Sequence, residues 1–252
     1  MSDRPAYLRI ADMLREGIRD GSLPQGTRLP TMAELCSSHG VSEIVVRQAV
    51  ALLRQEGLVE TRRGGGTVVR VVPPARRVAM DRYRAFTRPL AVPETTFTRD
   101  QRISWEEYRL DKEFTRVRAD EELGALFELP PGTELLRRRF VFHARGEPQQ
   151  ISVNFLPWDL VGDTPVSDPE REPWPGGTLA QLAYLGHPPT RVEESVRSRM
   201  PTPEEVETLR LTGGVPVLAI TRRMLSRASV MEVCRDIVLP ADRVVLDYSI
   251  DL

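Results

Sequence analysis

Between Leu29 and Val69 the apolar positions follow first a helical and then a strand period. Met32, Leu35 and Cys36 fall at i, i+3 and i+4, one stripe of a short helix. Thr31 can cap that helix, with Glu34 three places on to complete a capping box. Gly40 stands where the helix must stop and the chain must turn, a position that favours a residue free to adopt positive φ. Ser42 can cap a second helix whose inward positions are Val46, Ala49, Val50 and Leu53, with Gly57 ending it. Two β-prone runs then flank Arg62, Arg63, Gly64, Gly65 and Gly66, the pattern of a glycine-tipped hairpin. The sequence therefore predicts a helix-turn-helix followed by a basic hairpin. Such a helix enters the major groove of DNA by its N-terminal end, here Ser42, Glu43, Ile44, Val45 and Arg47. The hairpin reaches phosphates or the minor groove beside it. Two short helices around a glycine are common in α-rich domains; the ordered combination with the Arg-Gly hairpin is what points to nucleic acid.

Beyond the hairpin, two prolines and a basic run make residues 73–79 an extended linker, Pro73 to Arg77 at its centre. From there to about Thr98 no period is clear and the chain reads as mostly irregular. The rest reads as α+β. Glu122–Leu129 is a short helix, Leu135–His143 and Gln149–Leu156 form a hairpin around Gly146-Glu147-Pro148, and residues 157–177 are a proline-rich loop. A helix over Thr178–Leu185 and a strand over Val192–Met200 follow. Thr202-Pro203-Glu204-Glu205 starts another helix strongly, and that helix runs on to Gly213-Gly214. Strands at Val215–Leu225, Val230–Leu239 and Val244–Ile250 complete an antiparallel sheet with helices packed against it.

Composition narrows the function classes. A chain of 252 residues can hold two domains, expected at 1–72 and 80–252. The formal net charge of −1 excludes a histone-like polycation. The first 72 residues hold 10 arginines against 8 acids, so positive charge is placed rather than abundant. Cys36 and Cys234 lie far apart and no structural disulfide is expected, in keeping with a reducing cytosol. No signal peptide or membrane-length apolar run is read, which gives a cytoplasmic expectation and no membrane partner. His39, His143 and His187 are isolated, and neither zinc spacing, a phosphate loop nor a nucleophile elbow is found. The expectation is a protein without metal, cofactor or enzymatic activity.

Tyr7–Val71 resembles the winged helix-turn-helix of the GntR family of bacterial transcription regulators. The resemblance rests on Gly21-Ser22-Leu23, Leu29-Pro30, Glu34-Leu35, Gly40-Val41-Ser42, Val46-Arg47, Glu56-Gly57-Leu58 and Gly66-Thr67-Val68. The chain departs from the family's pattern at Ala33 and Glu43, where arginines are usual, and at Ile44 and Val45, where hydroxyl residues are usual. Glu43 can accept from a cytosine amino group and Ile44 or Val45 can pack on a thymine methyl. Alternatively, Glu43 only complements the helix dipole. Residues 80–252 are similar to the UTRA ligand-sensing domain of the HutC-type branch, a chorismate-lyase-like fold, through Leu129-Pro130-Pro131-Gly132, Gly146-Glu147-Pro148, Leu156-Pro157 and Val215-Pro216.

The resemblance implies a homodimer on double-stranded DNA with a pseudo-palindromic operator, in most relatives as a repressor, modulated by a small-molecule effector. Thr31, Ser42–Arg47, Arg62, Arg63, Gly64 and Gly65 would meet the DNA. Phosphosugar-binding relatives place two alternating arginines before the Gly-Glu-Pro turn, where this chain has Phe140 and Phe142, and a pocket glutamate where it has Ser152. That favours a more apolar or aromatic effector, with Phe140, Phe142, Ser152, Asn154, Trp158 and Glu232 as candidate lining. The phenylalanines serve equally well as core residues. Arg137 and Arg139 share one strand face and Arg138 the other; they are an anion site or a solvated, ion-paired face. Two further readings stay open: a constitutive DNA-binding protein whose second domain only dimerises, and, by fold analogy, a lyase-like enzyme.

Overall fold

The computed structural model describes residues 4–62, 66–70, 75–78, 81–84, 92–211 and 214–248. Two compact units divide the chain: residues 1–73 with 211–215, and residues 74–210 with 216–252.

The first unit carries three helices, α1 (Ala6–Asp20), α2 (Met32–His39) and α3 (Glu43–Gln55), and the hairpin β1 (Val59–Arg62) and β2 (Gly66–Val69). Its core is the helical stripe anticipated from the sequence: Val46, Ala49 and Leu53 of α3 pack with Leu35 of α2 and Ile10, Ala11 and Leu14 of α1. Met32 and Cys36 pack half-buried against it. Gly40 leaves α2 at φ 64° and Gly57 follows α3 at φ 72°, both in the left-handed region where a side chain is disfavoured. The hairpin pairs Val59 with Val69 and Arg62 with Gly66. Arg15 of α1 donates to Glu56 at 2.9 Å and so ties α1 to the end of α3.

In the second unit, β4 (Tyr108–Arg118), β5 (Glu134–Ala144), β6 (Glu147–Pro157), β7 (Arg191–Arg199), β8 (Val217–Ser226) and β9 (Ser229–Pro240) form one antiparallel sheet in the order β4-β5-β6-β9-β8-β7. One face is covered by α6 (Glu121–Phe127), whose Leu123 and Phe127 pack on Leu135, Phe155 and Val233. On the opposite face lie α7 (Trp158–Val161), α8 (Gly177–Tyr184) and a short 3-10 turn at Pro165–Ser167, whose apolar residues meet Leu136, Leu156 and Met224. Helices α4 (Asp81–Arg84) and α5 (Thr96–Gln101) precede the sheet, and α9 (Pro203–Thr208) follows β7. The fold is α+β, with an antiparallel sheet as expected.

Several elements differ from the sequence reading. The expected linker contains a strand, β3 (Ala75–Val78), which runs parallel to β10 (Val244–Asp247), Val244 opposite Ala75. The last strand therefore pairs with β3 instead of joining the large sheet. Residues 157–177 hold a helix and two 3-10 turns where a loop was expected. Helix α9 stops at Thr208, short of the glycines. Edge strand β4 was not anticipated, since Lys112 and Arg116 interrupt its inward row.

Candidate functional site

Two places carry the chemistry, one in each unit. In the first unit Thr31 caps α2 through the full capping box: the Glu34 N–H donates to its hydroxyl at 3.2 Å, and its own N–H donates to the Glu34 carboxylate at 2.7 Å. Thr31 is thus engaged in holding the turn. Ser42 occupies the N-cap of α3 but its hydroxyl makes no cap bond, which corrects the expectation that it caps this helix. Ile44 is 70% exposed, far from any core role, while Val45 packs half-buried on the helical core. Glu43 and Arg47, one turn apart, form an exposed ion pair at 2.7 Å. The Arg62 side chain and Arg63, Gly64 and Gly65 lie outside the described residues.

The second site is a cleft enclosing about 680 Å³, part of it open to solvent, on the α8 side of the large sheet. Its floor follows from strand alternation and register. Phe114, Arg138, Asn154, Cys234, Arg222 and Glu194 form a row of cross-strand partners through all six strands. Lys112, Phe140, Ser152 and Ile237 form the next row. Phe97 of α5, Tyr108, Phe140 and Phe142 meet with ring centroids 5.1 to 6.3 Å apart, an aromatic wall of favourable offset contacts.

Four buried arginines stand at the cleft, each with a carboxylate. Arg138, wholly buried, donates to Asn154 at 2.9 Å, to Gln181 at 2.8 Å and to Thr178 at 3.1 Å, and lies 3.6 Å from Glu172. It fastens α8 to the sheet between the rings of Phe114 and Phe140. Arg222 grips the buried Glu232 in a two-point pair at 2.6 and 3.2 Å. Arg77 of β3 donates to Glu194 at 2.7 Å, and Arg82 of α4 to Asp100 at 2.6 Å. Burial, then the nearby Arg82 charge, pulls the Arg77 guanidinium below its usual pKa. Burial opposes ionisation of Glu194, but Arg77, Arg82 and the Tyr83 hydroxyl outweigh it and hold the carboxyl below its ordinary range. For Asp100 burial wins and the carboxyl is pushed up. The Nε atoms of both Arg77 and Arg82 are buried without an acceptor.

Of the sequence-predicted effector residues, Phe140, Phe142, Ser152 and Asn154 line the cleft. Glu232 stands behind it, reaching it through Arg222. Trp158 does not line it; its ring lies under the Arg116 guanidinium at 4.3 Å. Arg137 and Arg139 point to the other face, paired with Glu113 at 3.4 Å and Glu204 at 2.9 Å, because odd positions of β5 face away from Phe140. They are an ion-paired face, and Arg138 is the inward one. Arg77, Arg82, Tyr83, Phe97, Tyr108, Glu172 and Trp174 were missed, for they come from segments without a clear period or from an unrecognised edge strand. The Cys234 thiol, raised to about 12 by burial and 3.1 Å from the Ser152 hydroxyl, is no nucleophile at neutral pH. Among the described residues no cluster of His, Cys, Asp and Glu could hold a metal ion, and no helix is long and apolar enough to cross a membrane.

Residues 6–69 match the model of the bacterial regulatory proteins of the gntR family, and residues 112–244 match that of the UTRA domain. The chain belongs to the GntR family. An uncharacterized HTH-type transcriptional regulator of Streptomyces coelicolor is 29% identical over 223 residues, 86% of this chain and 82% of that protein. The mannosyl-D-glycerate transport/metabolism system repressor MngR of Escherichia coli is 26% identical over 240 residues, covering 94% of this chain and 92% of that protein. The crystal structure of a GntR-family transcriptional regulator, 32% identical, superposes over 99% of both chains with a TM-score of 0.63. This GntR-family chain is accordingly a DNA-binding transcriptional regulator whose second unit is a UTRA domain. Within that family frame the cleft is the UTRA domain's own, since most of its lining falls inside the matched span.

Proposed function

We propose that this GntR-family regulator is a ligand-controlled repressor that works in the cytoplasm as a homodimer on a pseudo-palindromic operator. The observation that carries the DNA-binding part is the start of α3, where Ile44 and Arg47 stand free of the core on a helix whose other face is fully packed. An N-terminal helix end of that kind reads base edges, and two-fold protein symmetry matches a two-fold site. Arg62, Arg63 and the adjoining glycines serve as the phosphate-gripping wing. The repressor reading is supported by relatives named as repressors, the mannosyl-D-glycerate repressor among them. Ligand control is favoured over constitutive binding by the cleft itself, an aromatic-walled opening in the UTRA domain with Ser152 and Asn154 in its lining.

The test is a gel shift of the purified full chain against DNA flanking its own gene, at fixed salt with excess competitor. A discrete complex is expected, and Arg47→Ala is expected to remove specific binding while sedimentation still shows a dimer. Absence of a complex with every such fragment, or an unchanged complex with Arg47→Ala, counts against the reading.

A further inference from the structure

Gln150, Ser152 and Asn154 alternate along β6, so all three meet the cleft from one strand face. Asn154 is only 2% exposed. Its side-chain oxygen accepts from the Arg138 Nε–H at 2.9 Å. A guanidinium only donates, so that contact fixes how the amide is turned: the oxygen goes to Arg138 and the NH2 group is left for the cleft. Among the described residues this NH2 group has no acceptor, and the Gln150 side-chain amide has no partner. Both amides are open to the cleft, whereas the unbonded Nε atoms of Arg77 and Arg82 are fully enclosed and out of a ligand's reach. A nearly buried N–H donor is costly to leave unmade, so Asn154 calls for an acceptor from outside the chain.

The charges of the cleft are already closed on one another. Arg77, Arg82, Arg138 and Arg222 stand against Glu194, Asp100, Glu172 and Glu232, four cations against four anions. The carboxylates are further filled by neutral donors: Glu172 accepts from the Trp174 backbone N–H and from the Gln181 amide, each at 2.7 Å. A ligand of either sign would lose its water and find no unpaired counter-charge among these groups. On the adjoining strand Phe142 lies opposite Gln150 and Phe140 opposite Ser152, so the aromatic wall borders the same polar row. We propose that the cleft takes an uncharged aromatic carbonyl compound, its ring against that wall and its carbonyl oxygen accepting from the Asn154 side-chain NH2. The Gln150 amide, four residues along the strand and so about 13 Å from Asn154 by the strand rise, meets a second polar group on a longer ligand. This rests on the reading of the cleft as the effector site.

The experiment is calorimetric titration of the full chain at pH 7, without DNA, with 2-naphthamide, 2-naphthoate and 2-naphthylmethylammonium. The three share one ring system and differ in charge. The amide is expected to bind about tenfold or more tightly than either ion. Asn154→Asp keeps an acceptor for the Arg138 Nε–H and removes the NH2 donor; it is expected to weaken the amide about tenfold. Arg137→Gln, on the outward face of β5, is the control expected to keep the affinity. Either ion binding as well as the amide, no binding of the amide, or an undiminished affinity in Asn154→Asp overturns the proposal. Should Asn154→Asp not fold, the comparison of the three compounds on the unaltered chain still decides. Adding 2-naphthamide to the gel shift separates this proposal from the reading it rests on. Calorimetric binding that leaves the DNA complex unchanged overturns the effector role of the cleft and leaves the ligand class standing.

Discussion

Glu43 and Arg47 show what one side chain does to the surface proposed to meet DNA. The pair is exposed and spans one helical turn, so it is worth only about 0.3–0.5 kcal/mol and yields readily to phosphate or a base edge. Until then it lays the Arg47 guanidinium along the helix, and its carboxylate opposes the approach of DNA. Glu43→Ala is therefore expected to strengthen binding to all sequences by about twofold or more, with fold stability changed by less than about 0.5 kcal/mol. Fluorescence anisotropy on an operator series varied one base pair at a time measures this. A loss of affinity confined to one base pair would instead make Glu43 a cytosine reader. Arg138 teaches the complementary lesson. Its neighbours in sequence, Arg137 and Arg139, are ion-paired outside, while it is wholly buried. The alternation along β5 already put it with Phe140 and Phe142. Its role was not legible, because its partners Gln181, Thr178 and Glu172 come from a helix and a loop some forty residues on.

Among elements, the most legible were those whose signals are local. The capping boxes at Thr31 and Thr202 both form, with Glu205 accepting from the Thr202 N–H at 2.8 Å. Glu205 also holds Arg199 of β7 at 2.6 and 2.7 Å, tying α9 to the sheet edge. The Arg199 hydrogen bond, against some burial, keeps its carboxyl below the ordinary value of 4.5. A depressed folded value means the stabilisation is fully present above that pH and is lost as the pH falls through the lower, folded-state value. Glu205→Gln is accordingly expected to cost about 1 kcal/mol at pH 7, with the gap from the unaltered chain narrowing as the solution is acidified below about 4.5. Urea midpoints of both chains at the two pH values measure it. Strand β3 was illegible for the opposite reason. Two prolines and two arginines read as a connector, and its partner β10 lies about 170 residues away, where no local pattern reports on it. Edge strand β4 hid behind Lys112, which turns inward to donate to the Glu172 carbonyl at 3.1 Å.

At the scale of the whole molecule the two units differ in how sequence specifies them. The first is built from neighbours in sequence, so helix period, caps and glycines suffice to outline it. The second closes through contacts between distant segments, and its cleft gathers residues from β3, α4, α5 and the loop before α8 as well as the sheet. Function follows the same division. With a net charge of −1 the chain has no general attraction for DNA, so affinity must come from placed arginines. Arg63→Ala is expected to weaken binding to specific and unrelated DNA alike and to lower the slope of log affinity against log salt by about one. Anisotropy across a salt series reads that slope directly, and an unchanged slope would remove Arg63 from the phosphate contacts. The parallel pairing of β3 with β10 has a genetic consequence. Codons near 75 and codons near 245 specify one ribbon, so a chain cut short before Val244 deprives the linker strand of its partner while the operator-reading helices are encoded intact. Late nonsense alleles of such a gene are expected to fall with mutants deaf to the effector rather than with those altered in the operator-binding helices.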